Sequence, residues 1–269
     1  MAGVTFIEQL KRSWRLILYW GGGLSLLVIF VMSILQDVTV LDQYSDMISK
    51  FPPQMISAMG LEDAAALATP EGFIGFIALT YGTVVMAIFS VVAGLDVTAN
   101  DEDEGILNVL LSLPIPRWQV LLERAAAYAV IIIAIAMLEF LAIFLGTFMI
   151  PVEVNLRPLF LGCVNLIPGA LSLMAVTIFF ASIISNKVIA TGLSAAFVLT
   201  SYVLFVIGGA VKDNTFGYFL GRLSVWTYFD GQAVIREGLN PVNVGGLLAL
   251  VAVLLVVSVW AFERRDIAG

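Results

Sequence analysis

The sequence predicts an all-α integral membrane protein, and three observations carry that prediction. Of its 269 residues, 61% are hydrophobic and 12% charged, whereas soluble domains are about half apolar and about a quarter charged. The mean hydropathy is +1.03, more apolar surface than a soluble core of this size hides. The apolar residues gather into six runs, each near the roughly 20 helical residues that cross a bilayer core about 30 Å thick. They are residues 16–35, 73–95, 125–150, 159–184, 188–211 and 244–262. The chain, 1–269, reads as a single transmembrane domain.

Before the first run, helical spacing places Phe6, Ile7, Leu10 and Trp14 on one face, among Glu8, Gln9, Lys11 and Arg12. This predicts an N-terminal interfacial helix in the headgroup plane; a plain extension of the first span is the alternative. The first run lacks a small-residue cleavage site and reads as a retained span. The fourth contains Asn165, Pro168 and Gly169, which predict a kink or shift in its first part. Only Ser185, Asn186 and Lys187 separate the fourth and fifth, a tight helical hairpin. Two other connections are too long to be turns. Residues 36–72 are acidic, and residues 212–243 mix aromatics such as Trp226, Tyr228 and Phe229 with glycine and polar residues. Aromatics with polar tips favour the membrane interface, so short re-entrant helices in the outer leaflet are expected there, before the last span in particular.

Six spans put both termini on one side. That side carries Lys11, Arg12, Arg15, Arg117, Arg124, Lys187, Arg264 and Arg265, against Lys50, Arg157, Lys212, Arg222 and Arg236 on the other. Basic flanks favour the cytoplasm, so both termini are expected to be cytoplasmic, in a prokaryotic plasma membrane.

Composition also excludes chemistry. A net charge of −7 argues against a nucleic-acid partner. The single cysteine, Cys163, makes no intrachain disulfide. With no histidine, histidine metal ligands, histidine acid–base catalysis and a serine–histidine dyad are all ruled out. No G-x-x-x-x-G-K-[ST] phosphate loop occurs, so no cofactor is expected on this chain, and any ATP site belongs to another protein. Asp230-Gly231 resembles one element of membrane phosphotransferases, whose further aspartates are missing. Gly21-Gly22-Gly23 and Gly208-Gly209 lie in apolar runs and read as packing or flexible points rather than ligand loops. Glu139 is the one acidic residue deep in a run. At about 2.5–3.5 kcal/mol or more, an ionisable group at that depth must face a cavity or a partner. It reads either as part of a transport path or helix lock, or as a satisfied packing residue.

The most informative stretch is residues 100–117. Asn100 or Asp101 can cap a helix whose first turn holds Asp101, Glu102, Asp103 and Glu104, where the helix dipole favours negative charge. A greasy body follows, Ile106, Leu107, Val109, Leu110, Leu111 and Leu113, and Pro114 and Pro116 end it. Physics alone leaves two readings, a helix that docks into a groove on a cytosolic partner or an interfacial connector.

The run from Glu104-Gly105 through Leu110-Leu111-Ser112-Leu113-Pro114 to Arg117 resembles the E-x-G-T-L-E-x-L-L-x-x-P-x-S-R signature of type-2 ABC exporter permeases. Thr69-Pro70-Glu71-Gly72-Phe73 resembles the lead into that family's second span, and Ser224 to Phe229 its motif before the last. Phe262-Glu263-Arg264-Arg265-Asp266-Ile267 resembles its ending. The landmarks span nearly the whole chain in the family's order. Departures are Ile106 for the family's Thr, Pro116 for its frequent Ser, and Arg124 for its common Lys. The resemblance implies half of a transporter, paired with a second copy or a paralogue in the lipid bilayer and driven by a separate nucleotide-binding subunit that holds ATP and Mg. It implies that Asp103, Glu104, Gly105, Leu107 and Leu110 form the coupling helix that contacts that subunit. The N-terminal helix would match the family's connecting helix. The rival reading is a proton-coupled secondary transporter using Glu139; an intramembrane enzyme lacks any catalytic constellation.

Overall fold

The computed structural model describes residues 3–61, 64–100, 116–211 and 215–264. Its described residues are all helical or connecting, without strands. A bilayer forces this outcome, because a helix satisfies its own backbone hydrogen bonds where no water is available to do so. Six helical stretches are long and apolar enough to span: Val4–Ile34, Pro70–Val97, Arg117–Met149, Leu156–Ile183, Lys187–Ala210 and Pro241–Arg264. Asp103, Glu104, Gly105, Leu107 and Leu110, with most of the segment resembling the family signature, lie outside the described residues, as do Lys212 and the run from Arg265.

The N-terminal helix and the first span are continuous. Helix α1 (Val4–Leu16) runs through a π-helical turn, Ile17–Gly21, straight into α2 (Gly22–Ile34). Its polar residues Thr5, Gln9 and Ser13 are buried, while Val4, Ile7 and Trp14 stay exposed. Glu8, Lys11 and Arg12 are exposed as well, and Leu10 packs on the core, so the buried side of α1 is an uncharged mixture of small polar and apolar residues.

Helices α3 (Thr39–Ser49) and α4 (Pro53–Ala58), followed by a short 3-10 turn at Ala64–Ala68, fill the first long connection. Helix α5 (Pro70–Val97) then starts with its own stop-and-go chemistry. Thr69 Oγ1 accepts from Gly72 N at 3.1 Å, Pro70 needs no N–H partner at the first position, and Glu71 sits at the positive dipole end. Position 72 must be glycine, since a Cβ would run into the carbonyl oxygen of Ala66. Glu71 Oε1 also accepts from Asn155 N at 2.6 Å, tying the starts of two spans together.

Helix α6 is Arg117–Gly146 and α7 is Leu156–Ile183, which passes through Pro168 without a break. The Asn186 side chain caps α8 (Lys187–Ala210) by accepting from Ile189 N at 3.1 Å, which makes the α7–α8 hairpin tight. The second long connection folds as α9 (Thr215–Leu223), a 3-10 turn at Trp226–Phe229 and α10 (Gly231–Glu237). The last span is α11 (Pro241–Arg264).

Helix α7 is the axis of the bundle, with 72% of its most apolar 18 residues buried, against 17% for α8 and 11% for α11. The last two therefore leave most of their surface to lipid or to another chain. Small residues let the inner helices approach. A Cβ on Gly94 would come within 2.6 Å of Thr177 Cβ and 2.9 Å of Met174 O, so α5 and α7 touch backbone to side chain there. Gly208 faces Gly221 and Gly21 faces Leu138, which fits the packing reading, whereas Gly22 and Gly23 face open space. Both ends of the described chain lie at one end of the bundle, because Gln9 reaches Asp96 at the end of α5 and Arg117 donates to Phe262 O at 3.4 Å. We call this the terminal end.

Replacing Gly94 by Val should lower the thermal unfolding midpoint in detergent, by about 1–3 kcal/mol of overpacking. Gly23→Ala, in open space within a helix, should be neutral or raise it, by up to about 1 kcal/mol.

Candidate functional site

Helix α5 ends and α6 begins at the terminal end, on either side of residues 101–115 in the chain, and the side chains there form the densest polar cluster of the described protein. Asp96, one residue from the end of α5, is its centre. Its Oδ2 accepts from Gln9 Nε2 at 2.9 Å and from the Tyr128 hydroxyl. Its Oδ1 accepts from Asn100 Nδ2 at 2.9 Å. Gln9 Nε2 also lies 2.9 Å from Ser13 Oγ and 3.1 Å from Tyr128 Oη, and the two hydroxyls are 3.2 Å apart. Arg12 adds an electrostatic attraction to Asp96. One carboxylate thereby holds α1, α5 and α6 together. Ionised acceptors make the stronger hydrogen bonds, roughly twice a neutral pair.

Two further contacts complete the frame. Arg124, buried in α6, donates from Nη1 to Val97 O at 3.1 Å. This supplies a partner for one of the carbonyls left open where a helix ends, and a cation suits that negative dipole end. One position earlier, Glu123 caps α1 from a different helix. Its carboxylate accepts from Gly3 N at 2.6 Å, Thr5 N at 3.0 Å, Phe6 N at 3.2 Å and the Thr5 hydroxyl. Gly3 has φ +85°, a left-handed conformation suited to glycine, and it turns the first N–H toward that carboxylate. Gln119 Nε2 holds Glu123 Oε1 at 2.7 Å. Aromatic rings continue the frame inward, with Phe89 6.3 Å from Tyr128 and Trp20 5.6 Å from Phe89.

Of the residues named from sequence, Gln9, Arg12, Asn100, Arg117 and Arg124 fall at this end, and Glu139 does not. Glu139 sits deeper in α6, fully buried, with no hydrogen-bond partner for either oxygen among the described residues. It faces α5 at Gly82, where a Cβ would lie 2.5 Å from Oε1. Glycine at 82 is thus what leaves room for the carboxyl.

The Ser224–Phe229 motif lies at the far end. Ser224 Oγ donates to Ser201 O at 2.6 Å, and Val225 N donates to Ser201 Oγ at 3.0 Å, pinning the turn to α8. Phe229 packs on α7 where Gly169 leaves space for its ring. Asp230 next caps α10 by accepting from Gln232 N at 2.9 Å, and burial pushes its carboxyl above the usual carboxylate range. No group of three or more Cys, Asp or Glu suited to a metal ion occurs among the described residues.

Residues 10–267 match the family model described as ABC-2 family transporter protein. A search of curated proteins finds no match.

Glu123→Ala should strand the N–H groups of Gly3, Thr5 and Phe6. Amide exchange in the first turn of α1 should then rise about tenfold or more, as expected from about 1–3 kcal/mol per lost buried partner. Tyr128→Phe should lower thermal stability by about 1–2 kcal/mol without changing that first-turn exchange.

Proposed function

Because the chain belongs to the ABC-2 family of transporter proteins, with the match covering residues 10–267, we propose that it is the membrane-spanning subunit of an ATP-driven exporter. Two such subunits, identical or paralogous, form the substrate pathway between them. A separate nucleotide-binding protein supplies ATP and Mg and docks on residues 101–115, chiefly through Asp103, Glu104, Gly105, Leu107 and Leu110. The protein resides in the cell membrane with both termini in the cytoplasm.

The observation that supports this most is the frame around the segment's departure. The α5 end and the α6 start are tied to each other and to α1 by Asp96, Gln9, Tyr128 and Arg124. A push on residues 101–115 then moves three helices as one body rather than bending one of them. Rigid-body rocking of this kind is how a small displacement opens a pathway between two halves. Helix α1 takes part directly, as a connecting element tied to α5 through Gln9 and to α6 through Glu123. The uncovered faces of α8 and α11 leave surface for the second subunit.

Glu139 supports a second reading, a carrier that moves protons through this carboxyl, since it is buried and unpartnered among the described residues. The readings separate experimentally. Under the exporter reading, the purified chain alone hydrolyses no ATP, and D103K with E104K cuts ATP-dependent transport at least tenfold while the subunit still reaches the membrane. Normal transport after that double reversal contradicts docking at these residues. Under the carrier reading, Glu139→Gln abolishes substrate movement driven by a proton gradient, and no ATP-binding partner is needed. ATP-driven transport that survives Glu139→Gln favours the exporter.

A further inference from the structure

Between the last turns of α7 and α11, at the terminal end, lies a groove of about 330 Å³. Ser182 and Ile183 of α7 and Val257, Trp260, Ala261 and Arg264 of α11 line it. The α11 positions are spaced three and four apart, so they form one stripe down that helix. From Val257 to Arg264 the stripe runs about 10 Å. Ile183, Val257 and Trp260 are 50%, 37% and 55% exposed, so the groove faces what surrounds the bundle rather than its core.

The groove is hydrocarbon and aromatic except at its rim. There the Arg264 guanidinium lies 4.3 Å from the centroid of the Trp260 ring. Stacking uses the flat face of the guanidinium and leaves its N–H edge, the part that forks around a phosphate, for another partner. The carbonyl ends of α7 and α11 lie at the same end and oppose an anion. Of the lining residues, Arg264 alone attracts one. Glu263 is exposed too but does not line the groove.

A second tryptophan marks the depth. Trp118 is exposed in the first turn of α6, next to the Arg117 that donates to Phe262 O at 3.4 Å. Exposed tryptophans beside arginines belong at the headgroup level of a membrane. Arg264 therefore sits among headgroups, and Val257, about two turns deeper, among acyl chains.

We infer that this groove holds an anionic phospholipid, with its phosphate on Arg264, its glycerol region beside Trp260 and Ala261, and an acyl chain along Val257. A free phosphate would pair with the guanidinium and gain nothing from the hydrocarbon. A zwitterionic headgroup brings its own cation to the phosphate, which competes with Arg264, whereas an anionic one does not. The site needs one copy of the chain and no ATP, so it holds whichever way transport is driven.

Native mass spectrometry of the full chain released from detergent counts bound lipids, with monomer and dimer resolved. The probes are dioleoyl phosphatidylglycerol, dioleoyl phosphatidylcholine and inorganic phosphate. One phosphatidylglycerol per chain should be retained at least tenfold more tightly than phosphatidylcholine, and phosphate should not displace it. Arg264→Gln should remove that preference. Ala261→Phe, which fills the groove and leaves the charge, should weaken phosphatidylglycerol about tenfold. Arg222 also lies over an aromatic ring, 5.2 Å from that of Tyr218, but at the far end and outside this groove. Arg222→Gln should therefore leave retention unchanged. Arg264 is exposed, so Arg264→Gln decides the matter if Ala261→Phe fails to fold. Equal retention of the two lipids, displacement by phosphate, or retention untouched by Arg264→Gln or by a folded Ala261→Phe overturns the proposal. An equal loss in Arg222→Gln overturns it as well, because charge anywhere would then suffice. Lipid found on the monomer and never on the dimer would show that a second copy covers the groove, and would overturn it too.

Discussion

A polar atom placed in hydrocarbon has no water to turn to, and this constraint organises the bundle. Most of the chain meets it by being helical and apolar. Where polar side chains enter the interior they are gathered, so that one group answers another. Asp96 shows the consequence best, since a single carboxylate collects Gln9, Asn100 and Tyr128 from three helical elements. Withdrawn from that cluster, each of these groups would face lipid or protein without a partner. The cluster therefore holds α1, the end of α5 and the start of α6 in one arrangement.

The same constraint gives meaning to the groups that remain unanswered. Glu139 in the middle of α6, and Trp226 and Gln232 at the far end, are buried without hydrogen-bond partners among the described residues. Helix α5 runs past both Asp96 at the terminal end and, at Gly82, Glu139. Its tight packing on α7, where Gly94 meets Thr177, makes it a stiff element rather than a loose one.

The six spans were legible because a long apolar run has few alternatives to crossing a membrane. Their ends were less so. Hydropathy started the third span at residue 125, while the helix begins at Arg117, because Arg117, Glu123 and Arg124 lower the apolar average of a turn that is nonetheless helical. The first span extends back to Val4 for the same reason. Glu139 stood out as a charge inside an apolar run. Asp96 and Glu123 did not, since a charge at the edge of a span is ordinary, and their partners on α1 lie 87 to 120 positions away in the chain. Tyr128 fell inside the apolar run 125–150, with nothing in the sequence to set it apart. The one available hint was the uncharged polar stripe Thr5, Gln9 and Ser13, recurring every four residues beside the charged Glu8, Lys11 and Arg12. The orphaned donors of Trp226 and Gln232 had no sequence signal, because being unpartnered is a property of the fold.

The account depends on residues 101–115 being the place where an outside motor meets the bundle. Cys163 is buried, so a single new thiol at Leu107→Cys can be followed without background. Site-directed cross-linking from that thiol, in membranes holding the chain with its native partners, tests the point directly. The account predicts labelling by reagents applied from the side of the termini, and a cross-link to an ATP-binding protein that changes in yield when ATP is added. Labelling from the opposite side, or a thiol that cross-links to nothing but lipid and its own chain, would contradict it.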